Sequence, residues 1–429
     1  MRTNRRSLLR TASTGPGLKP AGGAFAQSAD VALEAPARRE RPVPRPGGER
    51  VAYLDNLKLL MVAVIIAGHG ALAYGSLESA WPYQDVQEVQ LGKVSDLALS
   101  IVVIPAALFV MGLFFLISGL LTPGSVSRKG PRSFARDRLV RLGVPLIVWT
   151  LVIWPGAIWT AHLAAGGNHS FWWQLTHADP VLDTGPMWFV EVLLVYSLAY
   201  AAWRHWRRRQ ATGAEPIAAP TRSAALSGRT LVALAVAISV GTVLVRPVFP
   251  AASGQIGQSH LWQWPQFVAM FGLGIVAAER GWLDPVPARI ARRCGLTALG
   301  GVVAFLLIAG IMAAVGVHGH VLFKPGLHWA PLAMAAIEGP LAVGTSVWLL
   351  ALAQRRLNRP PGTLGRALAR SAYGAFFLQG VVLIGLMIAL RPIAVPAEVK
   401  ALVVAGLGVT GSFALAWLLV SRTRLGRII

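Results

Sequence analysis

The sequence predicts an all-α polytopic integral membrane protein, a bundle of about ten transmembrane helices with both termini cytoplasmic. Three observations predict it. Of 429 residues, 55% are hydrophobic and 14% charged, where a soluble domain carries about 25% charged residues; mean hydropathy is +0.57. Apolar segments near the ~20-residue length of the hydrocarbon core recur along the chain at 54–74, 97–121, 143–163, 186–203, 230–250, 261–279, 295–316, 328–353, 370–390 and 399–421. Finally, basic residues alternate. The connections after spans two, four, six and eight and the C-terminal tail hold 24 Lys and Arg, and the other five connections hold five. Basic residues beside membrane segments stay on the cytoplasmic side.

The formal net charge of +22 would suit nucleic acid in a soluble protein. Here the charge is distributed among loops, so a bilayer is the expected partner and nucleic acid is not. A single cysteine, Cys294, excludes an internal disulfide and a cysteine-only metal site. Residues 1–50 are Arg- and Pro-rich and unpatterned, and disorder is expected. Within them Asn4–Arg10 resembles a twin-arginine export signal and Ala24–Ala26 a cleavage site. The stretch between is too polar for an apolar core, which favours a decayed signal or a misassigned start. Residues 51–425 form the membrane domain, with no soluble domain expected after span ten. Spans 186–203 and 261–279 are the weakest, being short and polar. Pro105, Pro265 and Pro340 are possible helix breaks.

The first span opens with Asp55 and Lys58 and carries His69 in its far half. At about 100° per residue the three fall within roughly 60° of one helix face, and Asp55 and His69 lie about 21 Å apart along the axis. Ionisable groups in hydrocarbon are costly and usually face the protein interior. A neutral imidazole can take a proton from a hydroxyl and return it; the plainer alternative is a histidine bonded for packing. Glu191 in span four lies at similar depth, and a carboxylate that orients an imidazole is a recurring arrangement. Glu338 and Gln379 fall near mid-membrane and either line the same cavity or bond neighbouring helices.

Arg138 and Arg141, spaced i, i+3, share one side of a helix where span three begins. Their guanidinium forks suit phosphate, and equally they mark topology and anionic headgroups. Phe114–Gly119 closes span two with small residues that allow close packing. The outer loops collect Trp81, Tyr83, Asp85 and Glu88, then His169, Trp172, Trp173, His177, Asp179, Asp183 and Trp188. That composition fits a sugar-binding surface, to which Trp188 is assigned, and equally an interfacial aromatic belt. The His and Asp spacings match no zinc motif, and no phosphate-cradling glycine loop is present.

Taken in order, Tyr53–Lys58 with His69, Phe114–Gly119, Arg138–Pro145, Met187–Glu191 and Ser371–Gly374 resemble the membrane-bound acyltransferase 3 family. The likeness runs over roughly residues 50–425 and is strongest to the branch containing glucan biosynthesis protein C. The resemblance implies a ten-helix domain that takes an acyl group, acetyl or succinyl, from cytoplasmic acyl-CoA and delivers it to a hydroxyl of a glycan or lipid-linked acceptor at the outer face of a bacterial inner membrane. It implies His69 as base, Arg138 and Arg141 beside the CoA phosphates, and acyl-CoA as co-substrate with no bound cofactor. Asp55 and Lys58 are assigned to the CoA mouth and Glu191 to orienting His69. Two departures stand out: the family often has Arg where this chain has Lys58, and a span-nine histidine where it has Gln379. Direct transfer and an acyl-enzyme are both open, as is the oligomeric state. The competing class is a proton-coupled transporter or flippase using Asp55, Lys58, His69 and Glu338.

Overall fold

The computed structural model describes residues 52–76, 81–177, 182–210, 226–250, 259–283, 285–316, 321 and 328–423. The expectations for residues 1–50, Asp179, Arg222, Lys324, Arg424, Arg427 and the Trp81 side chain lie outside the described residues. Among the described residues, ten helices are long and apolar enough to cross a membrane. They are α1 (Ala52–Leu72), α2 (Lys93–Lys129), α3 (Pro131–Ala164), α4 (Gly185–Gln210), α5 (Gly228–Val245), α6 (Leu261–Arg280), α7 (Ala288–Ala314), α8 (Trp329–Arg356), α9 (Thr363–Leu390) and α10 (Ala397–Arg422). Each coincides with an apolar segment of the sequence.

The differences lie at the helix ends. Phe114–Gly119 is inside α2, which continues to Lys129, and α3 starts at Pro131 rather than near residue 143. The two weakest segments are full helices, with α4 extended by its arginine-rich end as far as Gln210. Helical backbone persists past the apolar stretch because long basic side chains reach water from a helix that keeps its own hydrogen bonds. Pro105 and Pro340 lie inside unbroken helices, and Pro265 occupies the first turn of α6, where a missing N–H costs nothing.

The helix α3 is irregular for a reason visible in its sequence. Two π-helical stretches, Leu139–Gly143 and Trp149–Ile153, each precede a proline, Pro145 and Pro155. Proline cannot donate to the carbonyl four residues back, so the ladder widens there.

Helix α8 is the most enclosed span and packs against α7, α5, α2 and α1. Helix α1 is held between α8, α9 and α10. Backbones touch where glycine allows it: a Cβ on Gly119 of α2 would lie 2.2 Å from the Phe271 carbonyl of α6, and one on Gly274 would lie 2.3 Å from the Leu116 carbonyl. Outward faces are apolar. Val232, Val236, Val240 and Leu244 form an exposed i, i+4 stripe on α5, an arrangement unfavourable in water and neutral in hydrocarbon.

Helix α1 ends early. Gly70 meets the Ala405 backbone of α10, eight residues, or about 12 Å of rise, inside the start of that helix. Residues 73–76 and 81–92 pack beyond that end. Tyr74, Tyr83 and Val86 are buried, Gln87 donates to the Ala73 and Gly75 carbonyls, and Glu88 pairs with the buried Lys400. The short helix Trp81–Val86 lies against the later half of α3 and against α9.

Gly119→Val is expected to cost on the order of 1–3 kcal/mol, because a side chain there must displace backbone. Thermal unfolding in detergent would show a lowered midpoint, with Gly272→Val, whose Cβ enters open space, unchanged.

Candidate active site

His69 stands in the last turn of α1, part-buried against α9, because α1 stops short. Its Nδ1 lies 2.9 Å from Oε1 of Gln379, a fully buried residue near the middle of α9. The two helices pack directly.

The wall behind Gln379 comes from α3. A Cβ on Gly380 would lie 2.8 Å from the Trp154 ring and 3.2 Å from Pro186, so α9 meets this indole closely. Trp154 stacks on Trp149 at 5.6 Å, and Trp149 meets Phe377 edge-on at 4.9 Å. Both indoles are hooked to the strap before α4. Trp149 Nε1 donates to the Thr184 carbonyl at 3.0 Å and Trp154 Nε1 to Asp183 Oδ2 at 2.8 Å. Asp183 Oδ1 accepts from the Gly185 N–H at 2.7 Å, and Gly185 itself takes φ +47°, a conformation that favours glycine. Burial pushes the Asp183 carboxyl above the usual range, and the bonds from Trp154 and Gly185 oppose that shift.

Glu191 projects from the first turns of α4, where Thr184 Oγ1 donates to Oε2 at 3.4 Å. The carboxylate expected to orient His69 is thus bonded to the strap, and Gln379 bonds Nδ1 of His69. Trp188, one turn before Glu191, packs on His260 at 4.3 Å and Phe267 at 5.5 Å. His260 has a left-handed backbone, φ +48°, and burial pushes its imidazole down to about 4.

At the other end of α1, Asp55 and Lys58 form an ion pair at 2.8 Å. Asn56 between them donates to the Leu357 carbonyl at 2.7 Å, tying the start of α1 to the end of α8. The stripe read from the sequence is present, with the ion pair at one end and the imidazole at the other.

Arg138 and Arg141 do not form a symmetric pair. The π turn beginning at Leu139 breaks the i, i+3 relation of a regular helix. Arg138 is half-buried, its guanidinium 4.9 Å above the Phe134 ring and its buried Nε without a hydrogen bond. Arg141 is exposed and pairs with Asp137 at 3.0 Å. The Arg141 carbonyl, freed by Pro145, faces the Tyr373 hydroxyl at 3.5 Å. Tyr373 is the residue that the sequence did not assign; the proline four residues after Arg141 was the available signal.

Other candidates go elsewhere. Glu338 pairs with Arg246, both buried, and Arg246 lies over Trp262 at 5.2 Å, so Glu338 and Gln379 serve different contacts. His169 bonds Gln174 at 2.9 Å and stacks on His162, His177 bonds Thr176, and Asp183 belongs to the strap, so the three do not converge.

An apolar ten-helix bundle with an imidazole bonded to a neighbouring helix, an ion pair where its own helix begins and arginines at the start of α3 defines a multi-pass membrane protein with ionisable groups at both ends of α1. Residues 51–421 match the profile of a family described as an acyltransferase domain, the acyltransferase 3 family. The chain belongs to that family and is a membrane acyltransferase moving groups other than aminoacyl groups. No curated protein and no solved structure gives a significant match.

Glu338→Ala is expected to lower stability by about 3 kcal/mol, since it leaves the guanidinium buried without its carboxylate. The paired change Arg246→Met with Glu338→Leu costs less, which unfolding of single and double variants in detergent would measure.

Proposed function

We propose that the chain is an O-acyltransferase of a bacterial cell membrane, of the glucan biosynthesis protein C type. It takes acetyl or succinyl groups from cytoplasmic acyl-CoA and passes them to a hydroxyl of a glycan or other envelope acceptor at the outer face. The observation that carries this reading is the position of His69: a part-buried base bonded to Gln379 at the far end of a helix that begins with Asp55 and Lys58. The 24-to-5 division of basic residues among the connections supports a cytoplasmic basic end, which is where CoA is found.

In this reading the CoA phosphates dock at Arg138 and Arg141. Arg138 has a buried Nε free to donate, and charge-assisted bonds to phosphate are strong. Asp55 and Lys58 border the mouth, and the pantetheine arm runs inward. The acceptor hydroxyl approaches from the other side, past Trp188 and Glu191. The His69 imidazole takes the hydroxyl proton, and the oxygen adds to the thioester carbonyl carbon as the C=O pair moves onto oxygen. Collapse restores C=O, breaks C–S, and returns the proton to the departing CoA sulfur. Enclosure helps by excluding the water that would hydrolyse the thioester.

The test is thiol release from labelled acetyl-CoA and succinyl-CoA by protein in lipid, with and without acceptor glycans. His69→Ala is expected to lower turnover by roughly 10²-fold or more while retaining acyl-CoA binding. Arg138→Ala is expected to weaken that binding by roughly tenfold, the loss of one charge-assisted contact. Undiminished turnover in folded His69→Ala protein would overturn the assignment of the base, and unchanged acyl-CoA affinity in Arg138→Ala would remove the docking site.

A further inference from the structure

We infer that Gln379 is the positioning residue for His69, fixing which imidazole nitrogen carries the proton. This rests on the reading of His69 as the base. A base must offer a lone pair to the hydroxyl, and a neutral imidazole has one on a single nitrogen. The contact is 2.9 Å between Nδ1 and Oε1 of Gln379. With the amide oxygen turned toward it, Nδ1 carries the hydrogen and Nε2 the lone pair; an amide turned over would reverse the two, and the spectrum below distinguishes them. The ring also gains a fixed orientation, as when a carbonyl or carboxylate holds one nitrogen of a histidine so that the other can act.

Three features suit Gln379 to this task. It is fully buried, so water does not compete for Oε1. Its backbone is fixed by the approach of Gly380 to Trp154 and Pro186, with Trp154 in turn held by Asp183. Its hydrogen bond goes to His69, while its own Nε2 is buried without a partner. A glutamine kept to join two helices would be expected to satisfy its amide hydrogens on backbone carbonyls, because an open buried donor costs stability. The carboxylate of Glu191 is engaged by Thr184, which leaves the orienting role to the neutral amide. A neutral partner also avoids bringing a second charge into hydrocarbon.

The experiment uses the full chain in lipid and compares Gln379→Leu, Gln379→Glu and His69→Ala. Gln379→Leu keeps size and removes the acceptor. It should lower kcat by roughly 10²-fold with KM for acyl-CoA within about twofold, because the CoA phosphates bind elsewhere. Gln379→Glu keeps a carbonyl-type acceptor and should recover at least about tenfold of that loss. ¹⁵N spectra of histidine-labelled wild type, with the His69 signal identified by difference from His69→Ala, should show the Nδ1–H form. Wild-type kcat in Gln379→Leu, a loss that Gln379→Glu does not relieve, or an Nε2–H signal would each overturn the inference. The two readings separate cleanly. An active His69→Ala removes the base and this inference with it, whereas an inactive His69→Ala beside a fully active Gln379→Leu removes only the role of Gln379. The spectrum does not depend on how well any Gln379 variant folds.

Discussion

The constraint behind most of this structure is the absence of water in hydrocarbon. A polar group there must find its partner within the protein, and the strongest contacts between helices follow. His69 meets Gln379, Arg246 meets Glu338, and Gln266 donates to the Leu108 carbonyl at 2.7 Å. Each joins helices far apart in sequence. Between these points the packing is made by small residues and apolar side chains, as at Gly119 and Gly274, where dispersion at close backbone approach replaces a hydrophobic driving force that lipid does not supply.

The same constraint shapes the site. A helix that ends inside a bundle leaves carbonyls to be satisfied, and α1 does so about two turns inside the start of α10. The Ala73 and Gly75 carbonyls are taken by Gln87, the Tyr74 carbonyl by the Leu91 N–H, and Lys400 bonds both Glu88 and the Leu390 carbonyl. In α3, Pro145 and Pro155 release carbonyls and widen the helix, and the first of these points sits where Arg138 and Arg141 part company. Polar backbone and polar function occur together because both need a region that lipid does not reach.

The acyltransferase thus divides into a part that fixes geometry and a part that offers chemistry. Trp149, Trp154, Asp183 and Gly185 brace α3, α4 and α9 against one another, and none carries a free base. Arg138, Trp188 and Glu191 project from the elements so braced, and His69 from α1 meets Gln379 on one of them. Glu191 illustrates the distinction: its depth and charge suggested a partner for His69, but its hydrogen bond goes to the strap, one turn from Trp188.

The sequence alone determined the ten helices, because apolar length is a local property and a bilayer reads it locally. It determined the stripe of Asp55, Lys58 and His69, because helical geometry fixes angle from spacing. It also placed the irregularity of α3, since the effect of a proline is confined to one turn. It did not determine where helices end beyond the apolar stretch, since arginine-rich helix continues past the hydrocarbon. Tertiary structure alone decided that Gln379 rather than Glu191 bonds His69, that Glu338 meets Arg246, and that Tyr373 faces the carbonyl freed by Pro145. These pairs are separated by 310, 92 and 232 positions. Which polar group meets which depends on how the helices are arranged around α1 and α8, and several partners of similar depth and chemistry satisfy the same sequence equally well until that packing is known.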